Sequence, residues 1–329
     1  MTERAWQVET AGGPFKEVTL AREALQPGEV LVRIAASGVN PLDTKIRAGK
    51  AEHAKQPLPA VLGLDMAGTV EEVGDEVTAF RPGDEVFGMA GGVGGRQGTL
   101  AEFVAADARL LAPKPKTLSM REAAVLPLST ITAWEGLVDR AQVHAGQKVL
   151  IHAGAGGVGH ICVQIARAFG ADVYATVSPS KKDLVEQFGA TPVDYQALTV
   201  EEYVQTFTGG EGFDIVYDTV GGATIDASFN AVRRYTGHVV SCLGWSTHSL
   251  APLSFRGATY SGVFTLYPVL SGVGLERHSE ILRKAAALAD EGRLRPLVNS
   301  ERFTTADLDA AYAAVESGST GKVVVEIAR

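Results

Sequence analysis

The chain has 329 residues, of which 46% are hydrophobic and 21% charged, and its net charge is −8. This is the composition of a globular protein of about two domains with a large core. The acidic balance argues against electrostatic binding of nucleic acid, because no basic stretch could neutralise a run of phosphates. No apolar run reaches the roughly 20 residues that cross a bilayer, so we expect no membrane contact. Two scattered cysteines and an N-terminus without a leader pattern predict a cytoplasmic protein.

The first third of the chain predicts short strands and turns. Residues 29–35 alternate between two faces, and Pro-Gly pairs at 27–28 and 82–83 mark turns. The further candidate strands are residues 70–77, 85–87 and 100–104. This rhythm predicts a small barrel-like β domain. Pro113 and Pro115 then interrupt the pattern and place a domain boundary near residues 113–125.

Strands and helices alternate in the middle of the chain. Residues 158–169 form one apolar helical face, and residues 199–207 begin with a capping-box pattern. The candidate strands are residues 148–152, 172–177, 213–220, 238–243 and 258–264. This order predicts a parallel sheet covered on both faces. The C-terminal part of the chain adds a helix near 276–291 and a strand at 322–327, which must pair with a strand from another part of the chain.

One glycine run has the context of a nucleotide-binding loop. It follows a predicted strand and opens a helix, as the GxGxxG pattern requires, and consists of Gly154, Ala155, Gly156, Gly157, Val158 and Gly159. The first glycine permits the turn, the second a close approach to pyrophosphate, and the third close helix packing. The helix N-terminus then faces the phosphates. A second glycine run at 91–98 lacks this context and predicts a mobile cover or a connector.

The end of the strand at 172–177 indicates which dinucleotide is bound. An NAD site presents an acid there, whereas this chain continues with Ser178, Lys181 and Lys182. Hydroxyls and lysines suit a 2′-phosphate, so NADPH is favoured. The alternative is that the lysines face water at the start of a helix.

Several motifs in one order resemble a known family. They are residues 38–43 (GVNPLD), 46–49 (IRAG), 62–70 (LGLDMAGTV), 81–86 (RPGDEV), 126–134 (LPLSTITAW) and 218–222 (DTVGG). Together they resemble the zinc-free quinone oxidoreductase branch, similar to zeta-crystallin, of the medium-chain dehydrogenase/reductase superfamily.

The resemblance implies an α/β fold of two domains with the active cleft between them. A GroES-like catalytic domain would span residues 1–122 and a Rossmann NADP-binding domain residues 123–265. Residues 266–329 would return to the catalytic domain. Members commonly form homodimers by pairing Rossmann sheets edge to edge, and the strand near 258–265 matches that edge.

The resemblance also bears on the sites. Ser178, Lys182 and Tyr195 match the family's 2′-phosphate contacts, with Lys181 a rival for the lysine. Zinc-dependent relatives carry Cys where Val39-Asn40 stand and His-Glu where Leu64-Asp65 stand. A catalytic zinc needs about three such ligands, so we predict no metal. Many members have Tyr where this chain has Lys45.

The predicted activity is NADPH-dependent hydride transfer, without a metal, to a quinone or an α,β-unsaturated carbonyl. The candidate catalytic residues are Asn40, Lys45 and Thr130; a turn-forming Asn, a surface Lys and a capping Thr are the structural alternatives. Two rival functions stay open. One is a zinc-type alcohol dehydrogenase, and the other is an NADPH-binding protein with a structural or sensing role and little turnover.

Overall fold

The computed structural model describes residues 2–22 and 24–327 and divides into two compact units. The first holds the residues up to Ile131 and those from Leu266 on, and the second is Thr132–Thr265. The predicted α/β fold, with a β-rich part and a parallel-sheet part, is confirmed. Residues 123–131, which the sequence assigns to the second domain, lie in the first unit. No helix among the described residues is long and apolar enough to cross a membrane.

The N-terminal part of the first unit is built from short strands. These strands are β1 Thr2–Val8, β2 Phe15–Ala21, β3 Glu29–Val39, β4 Ala60–Val61, β5 Asp65–Val73, β6 Glu85–Met89, β7 Phe103–Asp107 and β8 Leu111–Pro113. The helices are α1 Pro41–Arg47, α2 Met120–Ala123 and α3 Pro127–Trp134, with 3-10 turns at Glu52–Ala54 and Ala108–Leu110. The strand predicted at 100–104 therefore lies three residues further on, at β7.

The glycine run at 91–98 is packed rather than free. Residues 91–93 are buried, and a Cβ added to Gly91 would lie 1.8 Å from the carbonyl oxygen of Gln97. The expectation of a mobile cover is wrong for this part of the run, because the backbone folds back tightly on itself.

The second unit is a six-stranded parallel sheet. Its strands are β9 Lys148–Ile151, β10 Asp172–Val177, β11 Thr191–Asp194, β12 Ile215–Asp218, β13 His238–Ser241 and β14 Thr259–Gly262. Its helices are α4 Gly159–Ala168, α5 Lys182–Gln187, α6 Val200–Thr208, α7 Ala223–Ala231 and α8 Ala251–Arg256. The strand order is β11-β10-β9-β12-β13-β14. This order reverses at β9, which is where open parallel sheets bind ligands.

A π-helical segment, Glu135–Arg140, precedes this sheet. Gly136 in it faces the ring of Tyr217, since an added Cβ would lie 2.1 Å from a ring carbon. The Tyr217 hydroxyl is fully buried and donates to the carbonyl oxygen of Thr132 at 2.7 Å. The segment thus packs against the middle of the sheet through a position that only glycine can fill.

The C-terminal part of the chain completes the first unit. Its elements are α9 Tyr267–Ser271, α10 Glu276–Asp290, β15 Phe303–Thr304, α11 Leu308–Glu316 and β16 Val323–Glu326. Strand β16 pairs antiparallel with β3, with Val323 opposite Val39. The resulting seven-stranded sheet has the order β15-β16-β3-β5-β6-β8, with β7 also paired to β3; β2-β1-β4 form a separate sheet. The terminal strand therefore lies directly beside the longest strand of the unit.

Candidate functional site

The glycine loop joins β9 to α4 in the second unit. A Cβ on Gly154 would lie 2.4 Å from the Cβ of Ala175, and one on Gly159 would lie 2.1 Å from the carbonyl oxygen of Ala153. Both positions therefore require glycine for close packing of the loop against β10 and of the helix against the loop. A Cβ on Gly156 would meet the Ala153 oxygen at 3.0 Å.

Hydrogen bonds from neighbouring strands hold this loop in place. The Ala153 N–H donates to Thr176 Oγ1 at 3.0 Å, and the Gly154 N–H donates to the Thr176 carbonyl oxygen at 3.0 Å. From the other side, Thr219 Oγ1 donates to the carbonyl oxygen of His152 at 2.7 Å. Ala153 has a φ of 52°, a left-handed conformation that costs free energy without glycine. The loop is thus held in its conformation before any ligand binds, at a cost in folding free energy.

The loop has the features that a pyrophosphate requires. The helix dipole is positive where α4 begins, at Gly159, and the N–H groups of the next three residues already donate to the carbonyl oxygens of Gly156 and Val158. Gly157 is exposed and Val158 is partly exposed, so the backbone at this end is accessible, whereas the Gly156 N–H donates to the Ala153 carbonyl oxygen at 2.8 Å. The predicted phosphate-binding residues, Gly154, Gly156, Gly157, Val158 and Gly159, thus form one loop at the start of a helix, where a dinucleotide could be held.

Two of the predicted 2′-phosphate residues, Ser178 and Tyr195, follow adjacent strand ends, and Lys181 and Lys182 lie just beyond, where α5 begins. Strands β10 and β11 are parallel with Val177 opposite Asp194, so Ser178 and Tyr195 each follow a paired residue. Tyr195 is 56% exposed. Ser178 Oγ lies 3.3 Å from Ser180 Oγ, and the Ser178 carbonyl accepts the Lys181 N–H at 3.0 Å.

Lys182 has a partner that the sequence reasoning missed. Its Nζ lies 3.2 Å from Oδ2 of Asp194. The sequence shows that no acid ends β10, but only the strand register brings the acid of β11 to the same edge. The position of Asp194 directly before Tyr195 is the signal that could have revealed it.

A second group of polar side chains is buried in the first unit, around Asn40. The Asn40 Nδ2 donates to Oδ2 of Asp65 at 2.9 Å, and its backbone N–H donates to Oδ2 of Asp43 at 2.8 Å. The ammonium of Lys322 donates to Asn40 Oδ1 and, at 3.1 Å, to Oγ of Ser129. We call these five residues, Asn40, Asp43, Asp65, Ser129 and Lys322, the Lys322 cluster.

Burial dominates the charges of the Lys322 cluster. It raises the pKa of Asp43 to about 7, although the Asn40 N–H opposes the shift. It also raises the pKa of Asp65 to about 6, against the lowering effects of Lys322 and Asn40. Burial lowers the pKa of Lys322, whereas the two carboxylates act to raise it. One ammonium thus compensates two carboxyl groups away from water.

Helix α3 joins the Lys322 cluster through its first turn. The Leu128 N–H donates to Oδ1 of Asp65 at 3.0 Å, and Ser129 contacts Lys322. These bonds explain why the start of α3 belongs to the first unit. Thr130 follows and is fully buried, and its Oγ1 has no hydrogen-bond partner within residues 2–22 and 24–327.

The three predicted catalytic residues have different environments. Asn40 is 1% exposed and belongs to the Lys322 cluster. Thr130 directly follows Ser129, a member of that cluster, in sequence. Lys45 is an exposed residue of α1. Sequence reasoning missed Lys322. It gives Asp43 and Ser129 only as parts of motifs, and Asp65 only as part of a motif and of the pair that stands where zinc-dependent relatives carry His-Glu. Within the described part of the chain, no group of three His, Cys, Asp or Glu residues could hold a metal ion.

Comparison with known proteins identifies the family. Residues 26–116 match the alcohol dehydrogenase GroES-like domain, and residues 157–273 match the zinc-binding dehydrogenase family. The 2-methylene-furan-3-one reductase of Solanum lycopersicum is 35% identical over 318 residues, covering 94% of this chain and 74% of the relative. The chain belongs to the medium-chain dehydrogenase/reductase superfamily. Within it, the matches support the quinone and enone reductase branch, and the chain is an oxidoreductase.

Other members of this superfamily differ in length and in their names. The NADPH-dependent alkenal/one oxidoreductase of Arabidopsis thaliana is 32% identical, over 98% of this chain and 79% of its own. The chain spans only 13% of the Spectinabilin polyketide synthase system protein NorB of Streptomyces orinoci, to which it is 37% identical over 89% of its length.

Solved structures of the superfamily share the fold. An alcohol dehydrogenase superfamily protein from Novosphingobium aromaticivorans superposes with a TM-score of 0.97 at 56% identity, covering 99% of this chain and 100% of the other. The quinone oxidoreductase from Coxiella burnetii gives a TM-score of 0.84 at 28% identity, with 100% of both chains covered.

Proposed function

We propose that the protein is a reductase that transfers hydride from NADPH to a quinone or an α,β-unsaturated carbonyl compound, without a metal ion. The observation that carries this proposal is the preorganised glycine loop at the N-terminus of α4. The names of the relatives, which include an alkenal/one oxidoreductase and a quinone oxidoreductase, support the substrate class.

The nucleotide is held, in this proposal, by two groups of residues. The glycine loop binds the pyrophosphate through backbone N–H groups, and Ser178, Lys181, Lys182 and Tyr195 bind the 2′-phosphate. When bound, the nicotinamide supplies the hydride. Because the loop is already fixed by Thr176 and Thr219, little ordering remains to be done when the nucleotide arrives.

The substrate side of the reaction is assigned to Asn40, Lys45 and Thr130. A quinone or enone is electron-poor, so positioning and hydrogen bonding to its carbonyl oxygen are enough to assist hydride addition. The exposed ammonium of Lys45 can donate to the developing oxyanion. Water supplies the proton that completes the reduction.

A metal-free site is supported by the charge of the Lys322 cluster. By the resemblance, zinc-dependent members carry ligands where Val39-Asn40 and Leu64-Asp65 stand, and here Asn40 and Asp65 are hydrogen-bonded to each other within the cluster. The ammonium of Lys322 bonds to Asn40 and faces Asp65, so a positive charge is already present there. A divalent cation would have to displace it.

The assembly and location of the protein are proposals as well. Strand β14 is an edge of the six-stranded sheet, and its unpaired backbone groups can pair with a second copy to give a homodimer. The two cysteines are free, which suits the reducing cytoplasm.

The test is oxidation of NADPH and, separately, NADH, in chelator-treated buffer against para-benzoquinone, phenanthrenequinone and an alkenal. We expect turnover with at least one acceptor, a preference for NADPH and no stimulation by zinc. Asn40→Ala should lower kcat/KM at least ten-fold, because it removes a group that the proposal assigns to hydrogen bonding at the substrate. Ser37→Ala is the matched control, because this buried hydroxyl lies 2.7 Å from Thr99 Oγ1 outside the Lys322 cluster.

The outcome also decides between the rival functions. Alcohol oxidation that requires added zinc would establish a zinc-type alcohol dehydrogenase instead. Tight NADPH binding without turnover of any acceptor would refute the reductase and favour a binding protein.

A further inference from the structure

The edge of the sheet that receives the 2′-phosphate in the proposed function carries an acid. Asp194 ends β11 opposite Val177, the last residue of β10, and so lies beside the segment that begins at Ser178. An acid at the end of the second strand of such a sheet is the feature that recognises the ribose diol of NADH. Here the acid comes from the neighbouring strand.

The carboxylate of Asp194 is fixed by its own turn. Its Oδ1 accepts the N–H groups of Gln196 at 3.0 Å and of Ala197 at 3.3 Å, which leaves Oδ2 to face Lys182. Partial desolvation acts to raise the pKa of Asp194, but these N–H groups and the Lys182 ammonium hold it below its usual value. The carboxylate is therefore ionised at neutral pH.

Lys182 is the more exposed partner of this pair. Its side chain is 41% exposed, against 14% for Asp194. A long side chain with this exposure can rotate towards a bound phosphate, whereas the carboxylate stays where its turn holds it. One ammonium is thus available to two anions, the fixed carboxylate and an arriving phosphate.

We propose that Asp194 is a specificity-determining residue that lowers the preference of this enzyme for NADPH over NADH. It does so in two ways. Asp194 competes with the 2′-phosphate, which carries nearly two negative charges, for the ammonium of Lys182. It also offers an acceptor to the 2′-hydroxyl of NADH, which carries no 2′-phosphate for the carboxylate to repel. The proposal rests on the proposed nucleotide site and names its selectivity.

The test is Asp194→Asn, since an amide oxygen can still accept the N–H groups of Gln196 and Ala197. We expect the ratio of kcat/KM for NADPH to that for NADH to rise about three- to five-fold, the size of a single exposed charge interaction. The change should appear in KM, with kcat unaltered. Asp172→Asn is the control, because it removes the same charge from the exposed opposite end of β10.

A second variant tests whether the effect runs through the lysine. In a Lys182→Gln background, Asp194→Asn should change the NADPH-to-NADH ratio less than it does in the native chain. An equal change in both backgrounds would refute the competition for Lys182, and a fall in NADPH affinity in Asp194→Asn alone would overturn the proposal as a whole. The latter result would mean that Asp194 holds Lys182 ready for the phosphate.

Binding of nucleotide fragments separates this inference from the reductase proposal. Calorimetry with adenosine 2′,5′-bisphosphate and adenosine 5′-phosphate needs no turnover. If Asp194→Asn tightens only the 2′-phosphorylated fragment, the inference holds even where no acceptor is reduced. If the selectivity between fragments is unchanged, the inference fails although the reductase stands. If neither fragment binds the native protein, both fail.

Discussion

Replacing Lys322 by methionine removes the ammonium of the Lys322 cluster and keeps a side chain of similar length. The variant leaves the carboxyl groups of Asp43 and Asp65 buried without their cation, and Asn40 Oδ1 without its donor. The cost of this change depends on pH, because it depends on whether the carboxyl groups are ionised.

The direction of the pH dependence of the unfolding free energy follows from the raised pKa values. The folded state binds protons on Asp43 and Asp65 more tightly than an unfolded chain does, so these groups lower the free energy of unfolding as pH rises through about 6 and 7. For Asp43, the rise in pKa from 3.8 to about 7 corresponds to about 4 kcal/mol of unfolding free energy. For Asp65, the rise from 3.8 to about 6 corresponds to about 3 kcal/mol. Lys322 limits both penalties, since its charge lowers both pKa values.

The magnitude for Lys322→Met therefore differs at the two ends of this range. Near pH 8 both carboxyl groups are ionised, and losing the partner of a buried charge costs about 3–5 kcal/mol. That is a loss of roughly 10 °C in Tm for a unit of this size. Near pH 5 both carboxyl groups are protonated in the folded state. The buried Lys322 ammonium then has no anionic partner, so its removal costs little free energy of unfolding.

The assay is thermal unfolding of the native chain and the variant at both pH values. Lys116→Met is the matched control, because Lys116 is an exposed lysine of the same unit. An equal loss of Tm near pH 5 and pH 8 would refute the reasoning, since it would mean that Lys322 acts through packing and not through charge compensation.

Three further predictions concern the second unit. Gly159→Ala should raise the KM for NADPH at least ten-fold, because the new methyl group would lie 2.1 Å from the Ala153 oxygen and displace the loop. Gly136→Ala should lower the free energy of unfolding by about 1–3 kcal/mol, measured by urea denaturation, because its methyl group overlaps the Tyr217 ring. Lys182→Gln should raise the KM for NADPH about ten-fold and leave that for NADH nearly unchanged.

Each of these predictions has its own contradiction. Gly262→Ala is the stability control for both glycine variants, because the nearest heavy atom to its new methyl group lies 4.0 Å away. Unchanged NADPH kinetics in Gly159→Ala would show that the loop does not bind the nucleotide. Equal effects of Lys182→Gln on both nucleotides would remove this lysine from the 2′-phosphate site. Lys181→Gln, measured in parallel, decides which lysine matters more.

The sheet of the second unit could be predicted from local patterns. Residues 148–152 and 172–177 are short apolar runs beside an amphipathic helix, and they correspond to β9 and β10 within one residue. Helix α4 likewise follows its apolar face. The sequence places the start of α3 in the second domain, whereas residues 127–131 cluster with the first unit. The bond of Leu128 to Asp65, which no local pattern contains, holds the start of the helix there.

The site residues likewise divide into those that a local pattern reveals and those that only strand pairing brings together. The glycine loop is a contiguous motif, so the sequence shows it directly. Lys322 and Asn40 are 282 positions apart and meet only because β16 pairs with β3. A lysine is nearly always exposed unless it is paired, so reading Lys322 as the start of a terminal strand gave no reason to expect an ammonium in a core. Asp194 meets Lys182 through the register of β10 and β11. In both cases a charged side chain of one element contacts a residue that lies in a different element. Both proposals on selectivity and stability therefore depend on strand pairing, and a variant that shifts either register should lose the charge effect along with the contact.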